Sequence, residues 1–266
     1  MLDVEFAEFS DPGRVRGHNE DYLGSVVPAT PAEARSHGWL FALADGVGGQ
    51  ERGEVASRTA IESMAAGFRG APPGEPLPAL LTRLVQAANA DVLDAGLTGA
   101  PGGVNMATTI VACALRFDRA VMAHAGDSRC YLIRRGHASV LTRDHTVANE
   151  QLRLGILSTR DGAAVATKHL ITRSLGTSMS VNVETGDLQV FAGDILALCS
   201  DGLHGAVDTA DFARILTRTC DLQHAVQDLV ALANSRDGSD NISVLAIRVR
   251  SVERVGMYRG RPYKLR

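Results

Sequence analysis

The 266-residue sequence predicts an α+β fold, two packed and mainly antiparallel sheets with helices on their outer sides. Short β-rich runs follow one another directly across turn signals, and helices come in pairs between those runs. Strands in runs and helices in pairs argue for this arrangement, and against the strict βαβ alternation that builds a parallel sheet. Length adds a third constraint: the chain exceeds the rough ~150 residues of one domain, yet sandwiches of this size often stay undivided. A single domain over residues 1–250 is expected, followed by a loose basic tail over 251–266, "SVERVGMYRGRPYKLR".

The elements follow in order. Leu2, Val4 and Phe6 alternate as in an edge strand, and "SDPGRVRGHNED" is a turn-rich connection. "YLGSVV" and "WLFALA" read as further strands. Between Gly53 and Phe68, the residues Ile61, Met64, Ala65 and Phe68 recur at helical spacing; Leu77, Leu80, Leu81, Leu84, Val85 and Ala88 mark a second amphipathic helix. "MATTIVACAL", "AVMAHA", "CYLIRR" and "ASVLT" form a β-meander in which "AGDSR" and "RRG" are tight enough for hairpins. Thr146–Leu170 is expected to hold a short helix and an irregular surface excursion. "VNVETGDLQVFAGDILALCSDG" returns to strands. Helices follow over Thr209–Thr217 and Leu222–Asn234, the latter capped by Asp221, and "NISVLAIRV" closes with a strand.

Composition narrows the function classes. With 27 basic against 30 acidic residues the net charge is −3, so no overall field favours nucleic acid or an anionic membrane. The N-terminus lacks an apolar core with a cleavage site, and apolar runs such as Met106–Leu115 fall short of the ~20 residues that span a bilayer. A cytoplasmic protein is expected. Cys113, Cys130, Cys199 and Cys220 show no C-x-x-C pair and no companion histidine spacing that would make a zinc site, and read as reduced thiols. Cys113 and Arg119 satisfy C-x5-R, the spacing of cysteine phosphatases, but without glycines to aim backbone N–H groups at a phosphate. A buried structural cysteine is the expectation there.

The stretch "FALADGVGGQERGEVAS" sets Asp45 among closely spaced glycines between an apolar run and a helix. It has no lysine for a Walker loop, and its glycines miss the dinucleotide spacing. A turn whose glycines only supply positive φ reads equally well from this stretch alone. Other acidic residues recur at similar junctions: Glu20 and Asp21 in "HNED", Asp127 in "AGDSR", Asp201 in "CSDG" and Asp240 in "SDN". Aspartate is common in turns, but a carboxylate ending a buried strand must be paired or bound to a metal. Hard Mg²⁺ or Mn²⁺ takes such oxygens. Two ions about 3.5–4 Å apart can hold a hydroxide for in-line displacement at phosphorus, with Asp45 a natural bridge and glycine letting a backbone carbonyl approach.

These residues carry a resemblance. "SDPGRVRGHNED", "ALADGVGGQERGEVAS", "MATTIVACAL", "AHAGDSRCYLIRRG", "LTRDHT", "ITRSLG", "LCSDGLH" and "GSDNISVLAIRV" occur in the order seen in the metal-dependent Ser/Thr protein phosphatases of type 2C, the PPM family, and span Ser10 to Val249. The resemblance implies an α-β-β-α sandwich with a binuclear Mn²⁺ or Mg²⁺ centre between the sheets, in a bacterial, monomeric enzyme. It maps Asp45 onto the bridging ligand, Glu20 and the Gly46 carbonyl onto one metal, and Asp201 and Asp240 onto the other. Asp21 is similar to the group holding a metal-bound water, and Asp127 to the acidic position of a third, weaker metal. Arg16 matches the arginine that grips the substrate phosphate with a planar fork. Some members carry histidine where this chain has Val47; the proton donor, a metal-bound water or a histidine such as His18, stays unassigned. Thr146–Leu170 aligns with the variable flap beside the site.

The implied activity is hydrolysis of phosphoserine and phosphothreonine in proteins, reversing a partner Ser/Thr kinase. A pseudophosphatase that binds phosphoproteins without turnover is the alternative; its usual signature is loss of ligand carboxylates, and Glu20, Asp45, Asp201 and Asp240 are all present. Cysteine-based hydrolysis at Cys113 is a third reading, separated from the first by sensitivity to chelators.

Overall fold

In the computed structural model, β1 (Asp3–Asp11) leads through a loop to β2 (Asp21–Val26), α1 (Pro31–Ser36) and β3 (Trp39–Asp45). The helix pair α2 (Gly53–Arg69) and α3 (Leu77–Thr98) comes next, then β4 (Ile110–Arg116), β5 (Arg119–Ala125), β6 (Arg129–Arg134), β7 (His137–Val140) and α4 (Val147–Arg153). The chain continues with β8 (Glu184–Gln189), β9 (Ile195–Cys199), α5 (Asp201–His204), the pair α6 (Thr209–Arg218) and α7 (Leu222–Arg236), and β10 (Ile242–Ser251). The structure describes residues 1–47, 52–99, 103–156, 170–258 and 261–264.

Two five-stranded sheets result, ordered β1-β10-β9-β6-β7 and β2-β3-β4-β5-β8, with antiparallel neighbours throughout. Their inner faces bury Phe41, Leu43, Val111, Cys130, Leu196 and Leu245 against each other. On the outer face of the second sheet, α2 and α3 set Met64, Phe68, Leu81, Leu84 and Val85 against Ala42, Ala112 and Ala123. On the outer face of the first, Phe212, Leu216, Leu229 and Val230 of α6 and α7 cover Ala197, Val244 and Ala246. The α-β-β-α sandwich therefore follows from helical stripes too apolar to face water, each fully buried leucine stabilising the fold by about 1.5–3 kcal/mol. Small residues on the outer strand faces let the helices approach. The α7 cap forms as expected, with the Asp221 side chain accepting the His224 N–H at 3.1 Å.

Three local readings change. Helix α1 is absent from the expected elements; "TPAE" encodes it through an N-cap, Thr30 Oγ1 accepting the Glu33 N–H at 3.2 Å, while the Glu33 side chain reaches back past the cap to accept the Ala29 N–H at 2.7 Å. The "AGDSR" turn is not a hairpin, because β5 pairs with β4 and β8 whereas β6 pairs with β7 and β9. It carries the chain from one sheet to the other. Residues after Arg250 are not a loose tail throughout: β10 runs to Ser251, and β11 (Val255–Tyr258) pairs with β12 (Arg261–Lys264). Buried Glu253 ties this end to α1 through both arms of Arg35, each at 3.1 Å. The expected excursion begins with α4, and residues 157–169 lie outside the described residues, as do Gly48 and Gly49. No helix among the described residues is long and apolar enough to cross a membrane.

Candidate metal centre

The acidic residues flagged at strand ends are gathered at one end of the sandwich. Asp21 opens β2 and Asp45 closes β3, and the antiparallel register sets them directly opposite. Asp127 sits in the crossover between β5 and β6, Asp201 begins α5 just beyond β9, and Asp240 precedes β10. The charges of Asp21, Asp201, Asp127 and Asp240 all act on Asp45, so both sheets deliver carboxylates to one nest. Backbone bonds hold its edge: the Gly46 N–H donates to the Glu20 carbonyl at 3.1 Å and the Thr109 N–H to the Asp45 carbonyl at 2.8 Å. Glycine is needed at position 46, because a Cβ there would lie 2.7 Å from the Gly53 carbonyl carbon and 2.8 Å from Glu20 Cβ.

Crowding buried acids makes their charged forms costly. Burial, with the neighbouring acids, holds Asp45 well above the usual carboxylate range. Burial pushes Asp21 up to about 7 against the opposing hydrogen bonds of Ser243 and Ser200, and Asp201 adds to the rise. Asp127 also rises to about 7, from burial and then the charge of Asp201. Glu20 is raised by burial, with Arg16 opposing. Asp21 Oδ1 and Asp127 Oδ1 are buried without a hydrogen-bond partner. Buried carboxylate oxygens are rarely left so, and an all-oxygen set of this kind fits hard divalent cations. The donor chemistry and the two orphaned oxygens therefore match a Mn²⁺ or Mg²⁺ centre.

Arg16 stands at the mouth of the nest, its side chain 44% exposed, with Nε and Nη2 spanning the two oxygens of Asp240 at 2.9 Å each. His18 is exposed on the same loop. Beside Asp127 and Asp201 opens a cleft of about 180 Å³ whose walls include Arg129, Asp144, Leu152 and His204. Cys113 is buried in β4, its thiol pushed up to about 12 by burial, and so is unsuited to nucleophilic attack.

Several supporting residues carry no distinguishing signal in the sequence. Asn241 Oδ1 accepts the Glu20 N–H at 2.8 Å, while Nδ2 donates to the carbonyls of Pro12 at 3.0 Å and His18 at 2.9 Å. One amide thus fastens the loop carrying Arg16 and Glu20 beside Asp240. Ser200 Oγ donates to Asp21 Oδ2 at 2.8 Å. Thr108 Oγ1 donates to the Asp45 carbonyl at 2.8 Å, and His204 Nε2 meets the Asp127 carbonyl at 3.0 Å. Ser200, His204 and Asn241 lie inside the segments read for their acids, but nothing local marks which backbone group each would reach.

The protein phosphatase 2C family model matches residues 17–234. The serine/threonine phosphatase stp of Listeria innocua is 33% identical over 264 residues, covering 96% of this chain and 98% of that protein. The structure of the S. agalactiae serine/threonine phosphatase superposes with a TM-score of 0.84 at 31% identity, covering 93% of this chain and 100% of that one. The catalytic domain of the serine/threonine protein phosphatase PstP, solved with two manganese ions, superposes at 0.77 with 31% identity, covering 94% and 100%. Sequence, fold and the strand-end acids agree, and the chain belongs to the protein phosphatase 2C family.

Proposed function

We propose that the nest at the end of the sandwich is the working centre of this protein serine/threonine phosphatase, a metal-dependent hydrolase of phosphoserine and phosphothreonine in proteins. The observation that carries this reading is the delivery of Asp21, Asp45, Asp127, Asp201 and Asp240 to one place by both sheets. Asp45 would bridge two ions, with Glu20 and the Gly46 carbonyl on one and Asp201 and Asp240 on the other. Asp127 would serve a third, weaker ion, and Asp21 would accept a hydrogen bond from water at the centre. Bound divalent ions supply Lewis-acid stabilisation of charge on the phosphoryl oxygens and activation of the attacking water. The fork of Arg16, which spans two carboxylate oxygens of Asp240, has the geometry that takes two phosphate oxygens. Val47 offers no proton, and the donor to the leaving alcohol stays unassigned.

The proposal extends to phosphoproteins made by a partner Ser/Thr kinase in the cytoplasm, in a signalling role, with residues 1–250 as the phosphatase unit. The pseudophosphatase alternative is not favoured, since every ligand-type carboxylate is in place. The test is Asp45→Asn on a phosphothreonine peptide with Mn²⁺, with circular dichroism to verify folding. A loss of at least ~10²-fold is expected, because the bridge supports both ions; near wild-type turnover would sink the binuclear reading.

A further inference from the structure

The "RDHT" segment, Arg143–Thr146, is not used by the metal centre as described, yet it grips the turn that carries Asp127. His145 is fully buried. Its backbone N–H donates to the Gly126 carbonyl at 2.9 Å, and the Gly126 N–H donates back to His145 Nδ1 at 3.2 Å. Two bonds thus join one histidine to the residue before Asp127. Gly126 adopts φ +120°, and a Cβ there would lie 2.5 Å from Thr109 Cβ. Thr109 Oγ1 in turn meets Ser128 Oγ at 2.7 Å and accepts the Asp45 N–H at 3.2 Å. We propose that His145 is a positioning residue for the Asp127 carboxylate, acting through its Nδ1 on the Gly126 amide. The inference rests on the reading of Asp127 as a metal-binding residue.

The rest of the ring is braced against rotation. It stacks on His124, centroids 4.6 Å apart and planes 6° from parallel, while the backbone is held separately by the Thr172 N–H, which donates to the His145 carbonyl at 2.8 Å. Because Nδ1 accepts, the neutral ring carries its proton on Nε2, which faces Glu184 Oε2 at 3.1 Å. Burial lowers the ring to about 4, keeping it neutral at physiological pH. Arg173 Nη1 also lies 3.0 Å from Nε2; facing the Nε2 proton it makes no hydrogen bond there, and its charge is met by Glu150 and Glu184 at 3.7 and 4.0 Å. The same tautomer argues against a separate metal site at His124, His145 and Glu184, whose ligand-type atoms lie within 4.8 Å of one another. A cation on Nε2 would move the proton to Nδ1, against the Gly126 N–H, and Arg143 and Arg173 already approach Glu184.

Three variants separate the bonds: His145→Asn keeps an acceptor near Nδ1, His145→Gln places its amide near Nε2, and His145→Ala has neither. Isothermal titration of the metal-free protein with Mn²⁺ is the readout. The weakest binding step should weaken about 10–100-fold in the Ala and Gln variants and stay within about 3-fold in Asn, as for outer partners of metal ligands. The kcat on a phosphothreonine peptide should fall in the same order. Unchanged Mn²⁺ binding in Ala and Gln, equal losses in all three, or rescue by Gln and not Asn would overturn the proposal. If His145→Ala does not fold, the Asn and Gln pair decides. Asp127→Asn is the control: unchanged binding there means that the reading of Asp127 itself has failed and takes the inference with it. Weakened binding in that control beside unchanged His145 variants means that only the inference has failed.

Discussion

Replacing Asn241 by alanine removes three hydrogen bonds at once: the Glu20 N–H at 2.8 Å and the carbonyls of Pro12 and His18 at 3.0 and 2.9 Å lose their partner. Asn241 is 5% exposed, so water replaces the amide poorly on the inner side of the loop. At about 1 kcal/mol for each lost bond, and more for any group left dry, the cost is about 3 kcal/mol. For a domain of this size that corresponds to roughly 6–12 °C in Tm. The Asn241→Asp variant sharpens the test, because it keeps an acceptor for Glu20 but sets a carboxylate against two carbonyls beside Asp240. It should be at least as destabilised as alanine above pH 6. Urea unfolding in EDTA measures both variants, and Mn²⁺ titration should show weaker binding as Glu20 loses its backbone anchor. A loss below about 0.5 kcal/mol, or an aspartate variant as stable as wild type, would refute the account of Asn241 as the loop's clamp.

Other expectations follow from burial and charge. Because Asp21 is raised to about 7, its deprotonated form weakens the metal-free fold, and this contribution grows as pH rises from about 4 to 7. Asp21→Asn should therefore gain stability over wild type in EDTA at pH 8 and lose that advantage towards pH 4.5, read by thermal melts; an advantage larger at low pH would contradict the sign. Iodoacetamide should modify the native protein only at exposed Cys220, since Cys113, Cys130 and Cys199 are buried. A single mass adduct with full Mn²⁺-dependent activity is expected, and inactivation by the thiol reagent would restore the cysteine reading. Arg129→Ala leaves Asp144, held at 2.8 and 2.6 Å, uncompensated in a largely buried place. A loss of about 3–5 kcal/mol is expected by urea unfolding, and a value near zero would contradict the reading of this pair as a buried charge that depends on its partner.

The sequence by itself determined where the acids lie along the chain and what chemistry they offer. Apolar runs ending in aspartate, as in "ALADG" and "LCSDG", announce a charge at the edge of a core, and the helical stripes of α2, α3, α6 and α7 are legible because their periodicity is local. Which strands pair is not local. "AGDSR" has the composition of a hairpin turn, yet β5 and β6 belong to different sheets, because each strand's partners are chosen by the faces it buries, far along the chain. That choice carries Asp127 from one sheet to the other and puts it within reach of Asp45 and Asp201. Likewise Asn241 and His145 are unremarkable letters until folding brings Glu20 and Gly126 to their polar atoms. Position and chemistry are properties of the chain; convergence of like charges is a property of the packed sandwich, whose burial of apolar faces offsets their repulsion.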